Sequence, residues 1–258
     1  MIFAAIAITA LFASFLTFFS GFGLGTLLMP VFALFFDLPV AIGLTAIVHL
    51  LNNLFKLALV YKNIQYTILL RFGVPALLAS FAGAWVLGRM DSAQTVIYSY
   101  TLYEHQFHIT YTGIVLGIVV LFFSVVELSK KLSEMHFHPK WLTAGGLLTG
   151  FFGGLSGHQG ALRSAFLLRL HLDKTAFIAT GVAIACLVDL ARLSIYSFKT
   201  EVLEENIPVL SVAVLSAFTG AVIGNKVFKK TSIAFMRWMV GLFMLIMSLL
   251  MMAGIINK

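Results

Sequence analysis

The stretch GFGLGTLLMP at residues 21–30 and the stretch GGLSGHQGALRS at residues 153–164 decide the fold of this chain. Each interrupts an apolar run in which a membrane helix would otherwise continue. Glycine lets a helix unwind, and irregular backbone at membrane depth is tolerated only where it lines a cavity or is buried in protein. Paired interruptions at matching places in two halves of a chain indicate the binding site of a transporter.

The composition is that of a polytopic membrane protein. Of the 258 residues, 60% are hydrophobic and 10% are charged, and the mean hydropathy is +1.02. A soluble domain of this length is far more polar. The net charge of +7 is interpreted as loop Lys and Arg that set the orientation, and not as a nucleic-acid surface. The single cysteine, Cys186, excludes an internal disulfide and a thiolate metal cage.

Apolar runs of about 20 residues are long enough to span a bilayer. They predict an all-α membrane protein built from two inverted repeats, each with a glycine-broken, re-entrant helix pair followed by three transmembrane helices. The first repeat, 1–129, contains the broken helix 2–36 and the spans 38–60, 66–89 and 112–129.

The second repeat follows the same plan. It covers residues 140–258 and contains the broken helix 140–171 and the spans 174–197, 204–228 and 232–256. Residues 130–139 are expected to form a cytoplasmic linker between the repeats, and residues 91–111 a polar, aromatic loop.

The two halves also share weak sequence similarity, which supports a duplication. Three pairs of residues align at one offset, and two more pairs align one residue later in register. The pairs are Gly25 and Gly160, Ala41 and Ala176, Thr45 and Thr180, Asn53 and Asp189, and Lys56 and Arg192.

The loop charges favour a hairpin for each broken helix, which enters the membrane and returns to the same side. Most loop Lys and Arg residues then fall on one side, which is the cytoplasmic side. Both termini and residues 91–111 become extracytoplasmic, and the repeats are inverted because each has three crossings. A complete crossing by each broken helix stays open as the alternative, since residues 2–19 alone could nearly span.

Ionisable residues within membrane segments are costly, and they indicate function by default. Of the candidates, only Asp189 is acidic, so a cavity that they share would be cationic and its ligand would be an anion. The candidates are His49, Lys56, Arg71, His158, Arg163, Asp189 and Arg192.

The spacing of these residues sharpens the prediction. His49, Asn53 and Lys56 fall on one helical face, and one of the adjacent residues Asn52 and Asn53 is expected to face the cavity. Arg163 follows the second break, where a helix N-terminus and a guanidinium both suit an oxyanion. Positive φ is expected at Gly25 and Gly160. The predicted substrate-binding residues are Gly23, Gly25, Thr26, His49, Asn52, Asn53, Lys56, Gly157, His158, Gln159, Gly160, Arg163, Asp189 and Arg192.

Structural roles are the alternatives for several of these residues. Asp189 and Arg192 could form only an ion pair, and Lys56 could extend to the membrane interface. His49 could be a hydrogen-bonded packing residue. Arg71, close to the end of a span, is expected at the interface.

Over nearly its whole length the chain resembles the TauE/SafE family of sulfite and sulfonate exporters. The resemblance rests on the duplicated plan, on residues 21–25 followed by Pro30, on the turn DLP at residues 37–39 before Ala41 and Thr45, and on residues 153–157. It implies transport of sulfur oxyanions or organosulfonates such as sulfite or sulfoacetate.

Together these features predict a secondary transporter of the bacterial inner membrane that moves a small sulfur-containing anion. Export is the expected direction, and the site is expected near the midplane between the broken helices. No Gly-x-x-x-x-Gly-Lys-Ser/Thr motif occurs, so the chain is not expected to hydrolyse ATP. The expected partners are the anion and the lipid bilayer, without nucleic acid, cofactor or metal, and a homodimer is left open.

Two other functions stay open at this point. One is a passive anion channel. The other is an intramembrane metal-dependent enzyme in which His49, His158 and Asp189 gather, although no His-Glu-x-x-His or Gly-x-Ser-x-Gly signature is present. In a carrier, His49 or His158 could hold a coupling proton.

Overall fold

The computed structural model describes residues 2–17, 23–92, 95–133, 137–196, 200–227 and 233–256, and most of these are helical. The first half contains α1 (Ile2–Thr17), α2 (Leu24–Ala33), α3 (Leu38–Val60), α4 (Tyr66–Ile68), α5 (Val74–Ser92) and α6 (Tyr111–Leu128). A π-helical segment, Leu69–Gly73, joins α4 to α5.

The second half repeats this order of elements after a short helix in the predicted linker. It contains α7 (Lys130–Ser133), α8 (Leu142–Ser156), α9 (Gly160–Leu167), α10 (Lys174–Ile195), α11 (Thr200–Val227) and α12 (Ile233–Met252). Single 3-10 turns occupy Tyr61–Asn63, Pro139–Trp141 and Leu168–Leu170.

Within the described residues, five helical segments are long and apolar enough to cross a membrane, and they overlap five of the six predicted spans. They are Leu38–Asn63, Tyr66–Met90, Tyr111–Leu128, Lys174–Ile195 and Glu204–Gly224. The helix α12, with the apolar segment Arg237–Met252, lies at the sixth. The chain is therefore a predominantly helical, multi-pass membrane protein.

Both glycine-rich stretches interrupt a helix. Gly23, with φ +115°, precedes α2, and Gly157, with φ +80°, ends α8. The expectation of positive φ at Gly25 and Gly160 is wrong, because each lies in the first turn of a new helix that restarts immediately after the left-handed residue. Residues 18–22 lie outside the described part of the chain.

The predicted loop at residues 91–111 contains a β-hairpin, which the sequence pattern did not indicate. The strands β1 (Val96–Leu102) and β2 (His105–Thr110) pair in antiparallel fashion. Tyr103 and Glu104 both have positive φ, which is the turn geometry that matches strand twist. β-branched and aromatic residues favour the strands. Tyr100 donates a hydrogen bond of 2.8 Å to the Ala253 carbonyl, which holds the hairpin against the end of α12.

Glycines bring the first helix of each half into close contact with a long helix of the other half. The helix α1 packs against α11, and α8 packs against α5. Gly146, Gly150 and Gly154 of α8 meet the backbone of Phe72, Ala76 and Ser80, where any added Cβ would overlap a carbonyl group. Small residues allow this approach in membrane helices. The residue numbers increase by four from one contact to the next in both helices, so α8 runs parallel to the segment α4–α5.

Corresponding helices of the two halves pack in antiparallel pairs. In the pair α3 and α10, the Gln65 N–H beyond the end of α3 donates to Thr180 Oγ1 near the start of α10, at 3.0 Å. His49, further back in α3, contacts Asp189, further forward in α10. The residue numbers therefore fall along one helix as they rise along the other.

The pair α6 and α12 has the same antiparallel arrangement. Ser124 donates a hydrogen bond of 2.9 Å to the Gly241 carbonyl. Gly117, two turns earlier in α6, lies against the Ser248 carbonyl, two turns later in α12.

The helix α9 folds back beside α8. The Phe137 N–H, before α8, donates to the Ala165 carbonyl near the end of α9 at 3.4 Å. The Phe137 and Phe166 rings stack with centroids 4.4 Å apart, and Gly145 lies against the Phe166 ring. The end of α9 has therefore returned to the level at which α8 begins.

Candidate functional site

A carboxylate on α10 is the centre of a buried polar network. Asp189 is fully buried, and three side chains from different parts of the fold donate to it. His49 Nδ1 of α3 lies 2.6 Å from Oδ2. Arg192 Nε of α10 lies 3.0 Å from Oδ1, and Gln159 Nε2 of the second break lies 3.4 Å from the same oxygen. This carboxylate therefore joins both halves of the chain and the second break.

The network continues from Gln159 to Arg163. Gln159 Oε1 accepts a hydrogen bond of 3.4 Å from Arg163 Nη1, one turn later in α9. The neutral amide thus donates to Asp189 on one side and accepts from Arg163 on the other. Arg163 is held at the network through this amide and lies within electrostatic range of the Asp189 carboxylate.

His49 is oriented from two sides. Its Nδ1 must donate to Asp189, because a carboxylate oxygen only accepts. Its Nε2 is then left to accept from Asn53 Nδ2, at 3.4 Å. Asn53 therefore faces the network from the same side of α3 as His49.

Lys56 completes the polar face of α3. It is only 4% exposed, so the alternative in which its side chain extends to the membrane interface is wrong. It lies one turn beyond Asn53 and within electrostatic range of Arg163. Two cationic side chains, one from each half of the chain, therefore lie in the same buried region.

The network carries more positive than negative charge. When Lys56, Arg163 and Arg192 are all protonated, their three positive charges exceed the single negative charge of Asp189 by two. Burial of each ion costs on the order of several kcal/mol in lost hydration unless an opposite charge compensates it. An anion bound among these side chains would supply that compensation.

Two half-helices begin close to this charge. A Cβ added at Gly25, in the first turn of α2, would lie 3.5 Å from the His49 ring. The helix α9 begins directly after Gln159. No side chain caps α2 or α9 among the described residues, so first-turn N–H groups keep their capacity to bind an anion.

Asn52 faces away from the network. It accepts a hydrogen bond of 3.1 Å from Ser14 Oγ of α1. The two adjacent asparagines therefore bind different side chains, since Asn52 bonds to Ser14 and Asn53 contacts His49.

His158 also faces away from the network, into a narrow cavity beside the second break. Its ring stacks on Phe123 with centroids 5.9 Å apart. Thr26, Glu127 and Met244 line the same narrow cavity. The two predicted site residues Thr26 and His158 are therefore grouped with each other and not with Asp189. The proposed gathering of His49, His158 and Asp189 does not occur.

Glu127 was missed by the sequence reasoning. It is a second buried acid, 6% exposed, so the expectation that Asp189 is the single intramembrane acid is wrong. Glu127 lies within the predicted span 112–129, near its end, and was not among the candidate residues. Only the packing of α6 against α12 turns it inward. Among the described residues, no group of three or more His, Cys, Asp or Glu could hold a metal ion.

The fold and the network define a multi-pass helical membrane protein with a buried cationic site. A family model, Sulfite exporter TauE/SafE, matches residues 6–251. The chain belongs to this family, and it is a transporter of the sulfite-exporter type. No curated protein and no solved structure matches the chain.

Gly157, the left-handed residue that ends α8, should not tolerate a side chain. An added Cβ would lie 2.7 Å from Arg192 Nη1, and the φ of +80° disfavours any L side chain, at a cost of roughly 1–2 kcal/mol. Gly157→Ala should lower the melting temperature of the purified protein and slow transport, because it displaces Arg192 from Asp189.

Gly88→Ala, on α5, is the matched control, since its new methyl group would have no atom within 4 Å. Thermal unfolding in detergent and uptake into proteoliposomes measure both effects. Equal stability and transport for the two variants would contradict this role of Gly157.

Proposed function

We propose that this chain is a secondary transporter that carries sulfite or a small organosulfonate across the bacterial inner membrane, with export as its direction. The single observation that supports this best is the burial of Lys56, Arg163 and Arg192 around one carboxylate. A small oxyanion matches the excess charge, and the family supplies the chemical class.

The side chains around the network would divide into two groups. Asp189, Arg192 and Gln159 hold the site together, because their polar groups bind one another. Arg163 and Lys56 would bind the anion directly. Arg163 suits this role because a guanidinium can bind two oxygens of a sulfonate or sulfite at once.

The remaining contacts would come from His49, Asn53 and the first-turn N–H groups of α2 and α9. Gly25 and Gly160 would admit the anion to that backbone, whereas Gly23 and Gly157 would supply the left-handed residues before α2 and after α8. The site would then lie near the middle of the membrane, between the two broken helices.

The antiparallel helix pairs support inverted repeats. If the halves had the same orientation in the membrane, α3 and α10 would run in the same direction, and so would α6 and α12. Both pairs run in opposite directions. Inverted repeats with a midplane site are a recurring plan for secondary transporters.

The path of α8 and α9 supports a re-entrant hairpin. The 15 residues of α8 are about 22 Å long, which is shorter than the hydrocarbon core of about 30 Å. The helix α9 then returns beside α8. A full crossing by this segment would leave Phe137 and Ala165 at opposite ends, yet their backbones are hydrogen-bonded.

Charge and aromatic residues support the orientation. Lys62 and Lys140 lie at the end where α8 begins, and Arg169 follows the returning helix α9. Basic residues favour the cytoplasmic side, and Tyr and Trp favour both membrane interfaces. The cation–aromatic pairs are Lys62 with Tyr61, Lys140 with Trp141 and, at the other end of α5, Arg89 with Trp85.

A passive anion channel is the alternative function. The buried, hydrogen-bonded network favours a carrier, because a site closed on all sides must rearrange for each anion that passes. Counterflow in proteoliposomes separates the two, since only a carrier exchanges labelled for unlabelled anion across the membrane against the net gradient.

Replacing Arg163 by Ala should weaken anion binding by roughly ten- to hundred-fold, because a charge-assisted hydrogen bond contributes about 1.5–3 kcal/mol. Arg163→Lys should recover only part of the affinity, since an ammonium lacks the planar fork. Calorimetric titration of the purified protein with sulfite and with sulfoacetate measures the change.

The matched control is Arg71→Ala, which removes an exposed arginine from the π-helical segment before α5. Its affinity should equal that of the parent protein. Parental affinity in a folded Arg163→Ala protein would remove Arg163 from the site.

Single cysteines in a Cys186→Ser background test the orientation. Tyr103→Cys, at the tip of the hairpin, should react with a membrane-impermeant maleimide in intact cells. Lys140→Cys, before α8, should react only after the membrane is permeabilised. Both side chains are exposed, so accessibility depends on the side of the membrane. Labelling of Lys140→Cys in intact cells would contradict the orientation.

A further inference from the structure

The cavity beside the second break contains a base with an unused lone pair. Ser156 Oγ donates to the Phe152 carbonyl at 3.1 Å, so its oxygen must accept from His158 Nδ1, which lies 3.1 Å away. The proton of His158 is therefore on Nδ1. Nε2 then carries a lone pair, and it is buried without a hydrogen-bond partner among the described residues.

An acid lines the same cavity. Glu127 of α6 and His158 of the second break are 6% and 3% exposed, and both border the narrow space between α6, α2 and α12. The Glu127 carboxyl makes no hydrogen bond to any residue that the structure describes. Two buried titratable groups with unused hydrogen-bonding capacity therefore share one cavity.

A second narrow cavity adjoins the first at Glu127. It is lined by Leu132 of α7, Ser164 of α9 and Arg237 of α12. Leu132 follows Lys130 and Lys131, whose side chains are exposed. Glu127 and Ala161 border both cavities, so the carboxyl lies between the linker end of the molecule and His158.

Few charged side chains lie near Glu127 and His158. Arg237 of α12 is in electrostatic range of Glu127, and Arg192 of α10 is in range of His158. Arg163 of α9 turns toward Gln159. The lysines of α7 are exposed, while α5 and β2 meet the opposite end of α6, near Thr112. In the described residues, α2 and α8 bring no ionisable side chain to the cavity.

We propose that Glu127 and His158 form a proton-binding site that is coupled to anion binding; this rests on the proposed function. The Glu127 carboxylate accepts one proton that enters from the linker end, and the His158 Nε2 lone pair accepts a hydrogen bond from that carboxylic acid or receives the proton itself. No other species is consumed or released.

The second break couples the two sites. His158 and Gln159 are consecutive, and their side chains face opposite ways, His158 toward Glu127 and Gln159 toward Asp189 and Arg163. A proton at Glu127 or His158 adds one positive charge near the cationic network, which favours an anion there. By thermodynamic linkage, a bound anion increases the affinity for the proton by the same factor. The proton and the anion therefore bind with positive cooperativity.

Methanesulfonate is the probe, because its charge does not change over the range tested. Calorimetric titration of the purified full-length protein should show a Kd that rises by about 5- to 150-fold, the usual size of a coupling between sites, as the pH increases from 5.5 to 8.5. In Glu127→Gln the Kd should rise much less over the same pH range, because the amide is permanently neutral.

Glu204→Gln is the matched control, since Glu204 is an exposed carboxylate on α11, and it should keep the parental pH dependence. A pH-independent Kd in the parent protein, or an unchanged pH dependence in Glu127→Gln, would overturn the proton site and leave the proposed function intact. Absence of binding at every pH would instead contradict the proposed function.

A direct measurement needs no variant. Addition of methanesulfonate to the protein in weakly buffered solution with a pH indicator should consume up to one proton per bound anion. Binding without proton uptake, or binding that disappears when Na⁺ is replaced by choline, would overturn the proposal.

Discussion

The rest of the structure depends on one fully buried carboxylate. Asp189 receives hydrogen bonds from α3, from its own helix and from the second break. An isolated carboxylate would be very costly to bury, so these donors are what allow it to be there. In return the carboxylate holds His49, Arg192 and Gln159 in fixed positions. Removing it would leave several cationic groups facing one another at the interface of the two halves.

Glycine serves two purposes in this fold, and they are easily confused in a sequence. Gly157 supplies a left-handed turn, whereas Gly150 and Gly154, a few residues earlier, let α8 pack directly on the α5 backbone. Both roles select the smallest residue. Gly146, Gly150 and Gly154 recur every fourth residue, which places the packing glycines on a single helical face.

The spans, the two breaks and the cationic character of the centre could be predicted, because apolar length and buried charge are properties of sequence composition. The sequence could not predict which side chains face the network around Asp189 and which face the cavity beside Glu127. His158 and Gln159 are adjacent but face opposite cavities, since the backbone between α8 and α9 is not helical there. Glu127 has no local signal, because its burial results from the antiparallel packing of α6 and α12. The hairpin was missed because its strands lie within a segment interpreted only by its polarity.

The central claim is that the network around Asp189 binds the transported anion. A structure of the protein soaked with selenite, the heavier analogue of sulfite, tests this directly through the anomalous scattering of selenium. The account predicts one strong peak beside α2 and α9, with the anion oxygens about 2.7–3.2 Å from nitrogen atoms of Arg163 and Lys56, a hydrogen-bonding distance. Selenium bound only at surface lysines or beside Arg237, with the central network unoccupied, would contradict it.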